Sequence, residues 1–182
     1  CDTKVMLRQL GIPVPEFEVF SDASKARDYV RSVGYPVVVK ADGLAAGKGS
    51  LVCDDVEDAE KAIQDIMEAR IFGDAGNRVD IEKRLYGREL SFFCFTDGRA
   101  VVPMVAAQDY KRARENDEGK NTGGMGSYSP HPWLNDKLVQ TIMNRVAAPI
   151  IQGIREEYDI HYRGVLYLGL MLAEESKEIV PY

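Results

Sequence analysis

Apolar residues recur along the chain at two spacings, and each switch between the spacings marks an element. Thr3 to Leu10 carries a helical stripe and stops at Gly11-Ile12-Pro13, where glycine ends a helix and proline drives the residue before it to extended backbone. Phe17 to Phe20 alternates as a strand. Ser21-Asp22 offers an N-cap to a helix over Ala23–Val33, whose Ala26, Tyr29, Val30 and Val33 share a face. Gly34 closes that helix. Pro36 to Ala41 reads as a buried strand rich in β-branched residues. After a turn over Asp42–Gly49 come a strand over Ser50–Cys53, a helix capped by Asp54-Asp55 that runs to about Ala69, and a strand over Val79–Arg84. Residues 1–84 thus run helix and then β-α-β-β-α-β, a two-layer α+β pattern.

The second half changes character. Leu90–Thr96 and Arg99–Ala106 flank Asp97-Gly98, a hairpin signal. Gln108 to Pro132 is a long polar, glycine-rich stretch with little periodicity, and a loop of that length inside a compact domain is usually functional or disordered. Leu134 to Tyr158 predicts a long helix with a kink at Pro149, and Arg163–Leu172 a strongly apolar strand. No internal repeat interrupts this order.

Composition narrows the function classes. A chain of 182 residues, 45% of them hydrophobic, can bury a full core without disulfides or metal. Its net charge of −6 disfavours a nucleic-acid partner, which needs a basic face, but leaves small anionic substrates open. The apolar stretch Gly164–Leu172 is far too short to span a bilayer, and Asp2, Lys4, Arg8 and Gln9 break any signal peptide at the start. The expectation is a cytoplasmic protein with no membrane partner. The three cysteines, Cys1, Cys53 and Cys94, fit neither a disulfide framework nor zinc spacing and read as reduced, structural thiols.

Three segments carry candidate chemistry. The first is Asp42-Gly-Leu-Ala-Ala-Gly-Lys-Gly49. Backbone without Cβ atoms can approach a polyphosphate, with Lys40 and Lys48 supplying charge. The segment is not a P-loop: Gly49 separates Lys48 from Ser50, and a strand follows where a P-loop opens a helix. It reads as a β-turn-β phosphate flap, with an ordinary glycine hairpin as the bland alternative. The second is Ile81-Glu-Lys-Arg-Leu85 with Gly87-Arg88-Glu89. A strand end can offer its backbone to an adenine edge and Glu89 to ribose hydroxyls, although a charged strand end by itself is more often a solvated edge. The third joins Gln108-Asp-Tyr-Lys-Arg112 to Asn121-Thr-Gly-Gly-Met-Gly126. Asp109, Lys111 and Arg112 mix both signs of charge, and the glycine run exposes N–H donors. Such a loop suits a phosphorylated substrate with arginine as a bidentate clamp, a plain surface loop being the alternative.

Pro36-Val-Val-Val-Lys-Ala-Asp-Gly-Leu-Ala-Ala-Gly-Lys-Gly49 resembles the phosphate-flap signature of the phosphoribosylamine–glycine ligases. Gln108-Asp-Tyr-Lys-Arg112, Asn121-Thr-Gly-Gly-Met-Gly-Ser-Tyr-Ser-Pro130 and Gly164-Val-Leu-Tyr-Leu-Gly-Leu-Met171 are similar to that family's other hallmarks, and they occur in its order across nearly the whole chain. The resemblance implies an ATP-grasp fold, α+β, with two lobes and the nucleotide between them: a small lobe or lid over 1–84 with its leading helix, and a large lobe over 85–182. It implies that Lys40, Gly47, Lys48 and Gly49 meet the ATP phosphates. Glu82, with the backbone of Lys83 and Leu85, would read adenine, and Glu89 the ribose. Asp109, Asn121, Thr122, Gly123, Gly124, Met125 and Gly126 would hold glycine and 5-phosphoribosylamine, and Lys111 and Arg112 would offset charge during the reaction.

The resemblance further implies Mg²⁺ or Mn²⁺ beside the ATP, and flanking domains of a parent enzyme as partners. The family's metal-binding Glu and Asn are expected beyond Tyr182, so truncation at the C-terminal end is the favoured reading and the isolated chain is expected to turn over nothing. The rival readings are another ATP-grasp ligase or carboxylase, and a nucleotide-binding module without turnover. No Ser/His/Asp or Cys/His arrangement offers a nucleophile. His131 between prolines reads as a turn residue, His161 as exposed, and Trp133 as a staple of the long helix.

Overall fold

A computed structural model describes residues 2–43, 45, 48–115, 118–173 and 178–182, with the backbone alone at 118, 120 and 121. Its elements begin with α1 (Asp2–Gln9), β1 (Phe17–Phe20), α2 (Ala23–Val33), β2 (Val37–Ala41), β3 (Ser50–Cys53), α3 (Val56–Ile63), β4 (Val79–Lys83) and β5 (Gly87–Thr96). There follow β6 (Val101–Pro103), β7 (Gln108–Asp109), β8 (Arg112–Arg114), β9 (Glu118–Asn121), β10 (Ser127–Tyr128), α4 (Asp136–Ile142), α5 (Ala148–Tyr158), β11 (Gly164–Ala173) and β12 (Ile179–Pro181). The chain divides into two compact units: Pro15–Leu85 with Arg112–Gly123, and Asp2–Val14 with Tyr86–Lys111 and Gly124–Tyr182.

In the first unit an antiparallel sheet runs β1-β4-β2-β3. Alternation along β2 and β4 sends Val37, Val39, Val79 and Ile81 into a core with Ala26 and Val30 of α2 and Ala59 and Ile63 of α3. Each buried Val or Ile contributes about 1.5–3 kcal/mol. Local chemistry sets the helix ends. Asp22 accepts from the Ser24 and Lys25 N–H groups at 2.8 and 3.1 Å, and Gly34 terminates α2 at φ 65°, where a Cβ would be strained. Asp55 caps α3 through the Asp58 N–H at 2.8 Å. The helix then loosens into one π-helical turn over Gln64–Glu68 and ends at Ala69. A second, two-stranded sheet pairs β8 with β9.

In the second unit the antiparallel sheet is β12-β11-β5-β6. β5 and β11 are in register from Gly87↔Ala173 to Thr96↔Gly164. Leu90, Phe92 and Cys94 point to one face and pack with Ile142, Val146, Ile150, Ile151 and Ile154 from the helical segment beneath it. That segment is not a single helix. α4 passes into a π-helical turn over Met143–Ala147 before α5 begins. Pro149 has no N–H for the Arg145 carbonyl and its ring crowds that carbonyl, so the ladder widens just where sequence predicts a kink.

Two expectations need correction. The leading helix belongs to the second unit, not the first: Leu7 and Ile12 join the core of β5, β11 and α5, and Tyr158 Oη donates to Gln9 Oε1 at 2.6 Å. The stretch from Gln108 to Pro132 is not structureless, since β7 pairs with β10 and β8 with β9. Cys53 and Cys94 are buried free thiols, and burial pushes them up to about 12 and about 11. Cys1 lies outside the described residues. Among the described residues no helix is long and apolar enough to cross a membrane.

Candidate functional site

The glycine turn is the tip of a hairpin. β2 and β3 pair from Val37↔Cys53 to Lys40↔Ser50, so a strand follows Lys48. The turn is closed by Ala41 N–H donating to Gly49 O at 2.8 Å and Lys48 N–H to Ala45 O at 2.9 Å. A Cβ at Gly49 would stand 2.5 Å from Ala45 Cβ and 3.3 Å from Ala41 Cβ, too close for any other residue without a shift of the turn. Arg78 braces its base, Nε donating to Asp42 Oδ2 at 2.6 Å while Asp42 N–H donates to Arg78 O at 3.0 Å. Lys48 is exposed on this turn. Gly47 lies outside the described residues.

Alternation puts Lys40, Asp80 and Glu82 on the face of this sheet opposite the Val/Ile core. Lys40 Nζ lies 2.8 Å from Glu82 Oε1, and Asp80 stands directly across from Lys40 in the ladder. Asp80 and Glu82 are only 5% and 2% exposed. Burying a carboxylate is costly unless a cation or donors accompany it, and Lys40 supplies the charge. Lys83 donates its backbone N–H to Glu16 O at 2.8 Å, so that group is committed to the sheet, and its ammonium sits 5.5 Å from the Tyr35 ring centre. Leu85 follows the strand and is half-buried.

A second charged cluster forms in the other unit. Lys111 Nζ donates to Glu89 Oε2 at 3.0 Å and to Tyr182 Oη at 2.6 Å, and Tyr182 Oη donates to the same Glu89 oxygen at 3.0 Å. Asp109 Oδ1 is 3.9 Å from the ammonium. Burial works against the Lys111 charge, but the bonds to Tyr182 and Glu89 and the negative charge of Glu89 outweigh it. The ammonium is held protonated above its ordinary range. Arg112, expected as a bidentate clamp, starts β8, and its Nη1 donates to Gly119 O at 3.2 Å.

The remaining candidates lie on the two small ladders. Ser127 pairs with Asp109 and Tyr128 with Gln108. The Tyr110 N–H donates to Gly126 O at 2.9 Å and the Met125 N–H to Tyr110 O at 2.7 Å, which brings Asp109, Met125 and Gly126 together. Gly123, Gly124 and Met125 are exposed. Asn121, described by its backbone alone, pairs with Arg112, and Thr122 follows it, half-buried. His131 opens a turn as expected, its carbonyl accepting from the Leu134 N–H at 3.2 Å, but its side chain is buried, 5% exposed, and packs against Tyr128 and Trp133. Among the described residues no three His, Cys, Asp or Glu side chains are grouped to hold a metal ion.

The profile described as phosphoribosylglycinamide synthetase, ATP-grasp (A) domain, matches residues 2–182. The chain belongs to this family. The phosphoribosylamine–glycine ligase of Archaeoglobus fulgidus is 41% identical, over 100% of this chain and 44% of the relative. The crystal structure of phosphoribosylamine–glycine ligase from Thermotoga maritima matches with a TM-score of 0.88 at 32% identity, over 99% of this chain and 45% of that one. The biotin carboxylase domain of Hydrogenobacter thermophilus 2-oxoglutarate carboxylase, in complex with MgADP and bicarbonate, has a TM-score of 0.71 at 16% identity, over 98% of this chain and 37% of that one. The last likeness is one of fold alone. This chain spans less than half the length of these relatives.

As a member of the ATP-grasp A-domain family, the chain carries candidate residues that sequence reasoning missed. Asp80 was legible, since acidic residues alternate with apolar ones through Val79-Asp80-Ile81-Glu82. Tyr128, His131 and Tyr182 were not, because each also bonds a side chain twenty or more residues away in sequence.

Proposed function

We propose that the protein carrying this chain is an ATP-dependent ligase that joins glycine to 5-phosphoribosylamine, giving glycinamide ribonucleotide, ADP and phosphate. The observation that carries the reading is the buried Glu82 carboxylate paired with Lys40 at 2.8 Å, on the strand next to a hairpin that ends in Lys48. A carboxylate oxygen is a strong acceptor for the exocyclic amine of adenine. Lys40 already pairs with Glu82, and exposed Lys48 adds a second cation for the polyphosphate. Family membership and the names of its relatives support the same reading.

A carboxylate is a poor electrophile, so amide formation requires activation. A glycine carboxylate oxygen attacks the γ-phosphorus of ATP, and the bond to the ADP oxygen breaks. The amine of phosphoribosylamine then attacks the carbonyl carbon of glycyl phosphate, phosphate leaves, and the amine gives up a proton. No protein nucleophile is needed. The work falls to positioning and charge: Lys48 and Lys40 at the phosphates, Glu89 at the ribose, and Lys111 with Arg112 at the anionic substrates. Lys111, held protonated, serves as a fixed cation and not as a base. Mg²⁺ or Mn²⁺, when bound, would neutralise charge on the β- and γ-phosphates. Asp109, Asn121, Thr122 and the Gly123–Gly126 backbone would seat the phosphoribosyl group and glycine.

The test is ADP release by the full-length protein with ATP and Mg²⁺, omitting glycine or phosphoribosylamine in turn. Release that needs both supports the reading. Release driven by bicarbonate, or by a different amine acceptor, would replace it with another ATP-grasp activity.

A further inference from the structure

His131 takes no part in the chemistry above, yet its ring is buried and its two nitrogens have unlike surroundings. Nε2 lies 2.9 Å from Tyr128 Oη and within hydrogen-bonding reach of Gln108 Oε1, whereas Nδ1 is buried and, among the described residues, has no partner. Tyr128 Oη also donates to Gln108 Oε1 at 3.0 Å. A carboxamide oxygen only accepts, so Nε2 carries the proton. Reversing the Gln108 amide would move that proton to Nδ1 and leave a buried N–H unpaired, the rarer and costlier defect. With the proton on Nε2 no ring N–H is left unpaired: His131 and Tyr128 both donate to a single Gln108 oxygen. Trp133 closes the other side, its ring 4.5 Å from that of His131.

Gln108 and Tyr128 are themselves partners in the β7–β10 ladder. A ladder of two residues per strand is marginal alone. The His131 ring ties its side chains together one step before the Tyr110–Gly126 and Tyr110–Met125 backbone bonds that follow. We propose that His131 is a positioning residue: by locking Gln108 to Tyr128, it holds Asp109, Lys111 and the Met125–Gly126 backbone in the arrangement that receives the phosphoribosyl substrate. This rests on the functional reading above.

The experiment compares wild type, His131→Ala and His131→Gln in the full-length protein. Glutamine places an amide N–H where Nε2 stands and keeps the donor. His131→Ala is expected to raise KM for phosphoribosylamine roughly tenfold, as a misplaced binding loop does, while KM for ATP stays within about twofold. His131→Gln is expected to restore most of the loss. Amide hydrogen exchange at Tyr110 and Met125 should quicken in His131→Ala and return in His131→Gln. An unchanged phosphoribosylamine KM, an equal rise for ATP, or no rescue by glutamine would overturn the assignment. If wild type shows no ligase turnover, the functional reading fails on its own, and the exchange comparison decides whether His131 orders the loop.

Discussion

Lys40 Nζ lies 2.8 Å from Glu82 Oε1, joining neighbouring strands β2 and β4 across the polar face of the first sheet. The two residues read from sequence as contacts for different parts of ATP, phosphate and adenine. In the fold they are each other's partners, so the proposed nucleotide contacts would depend on a pair that also stabilises the sheet.

Lys40→Met should therefore destabilise the protein by about 3 kcal/mol, the cost of leaving a buried carboxylate without its cation. Lys40→Met with Glu82→Leu should recover much of that stability while ATP binding stays lost. Urea denaturation and ATP calorimetry on the same proteins measure both. A double variant as unstable as the single one would show that the pair is not the reason.

Lys48 is exposed on the hairpin turn and supports nothing in the core. Lys48→Ala is expected to change stability by less than about 0.5 kcal/mol. It should weaken ATP affinity by roughly tenfold, as loss of one charge-assisted contact does. Gly49→Ala should weaken ATP as well, through the clash with Ala45. ATP titrations that leave both variants at wild-type affinity would remove the hairpin from the nucleotide site.

Lys111 and Tyr182 meet on one oxygen of Glu89. Lys111→Met should lower kcat/KM about 100-fold by removing a preorganised cation, and Tyr182→Phe, which keeps the ring and the ion pair, by about fivefold. Because the Lys111 ammonium is held above its ordinary range, the pH–rate profile between pH 7 and 9 should show no limb that disappears in Lys111→Arg. Steady-state kinetics across that range checks this.

Burial, and then the charge of Arg88, lower the His131 pKa in the folded protein. An imidazole with a depressed folded value adds stability above its unfolded pKa of about 6.5, and that stability is lost as pH falls through the folded value, since the unfolded chain binds the proton more readily. The advantage in Tm of wild type over His131→Gln should thus be full near pH 7.5 and shrink toward pH 5. A gap independent of pH would show that His131 does not titrate differently on folding.

Most elements were legible because their causes are local. Asp22 and Gly34 bound α2, Asp55 starts α3, and the β-branched run in Pro36–Ala41 and the strand pattern of Val79–Arg84 mark two strands of one sheet. The glycine hairpin was also legible, since Gly49 and the strand signal after it exclude a helix. The small ladders inside Gln108–Pro132 were hidden: β7 and β10 have two residues each, too few for any period to show.

The sequence alone determined the family, the order of helices and strands, and which charged and glycine residues are available for ATP chemistry, because caps, turns and periodicity act over a few residues. Only the tertiary structure decided who pairs with whom. It turned Lys40 toward Glu82 and tied Lys111 to Tyr182, and it moved α1 into the core of the second unit. It also buried His131 against Gln108 and Trp133. Charge compensation and burial act between groups brought close by folding, and nothing in a local pattern records which distant partner will arrive.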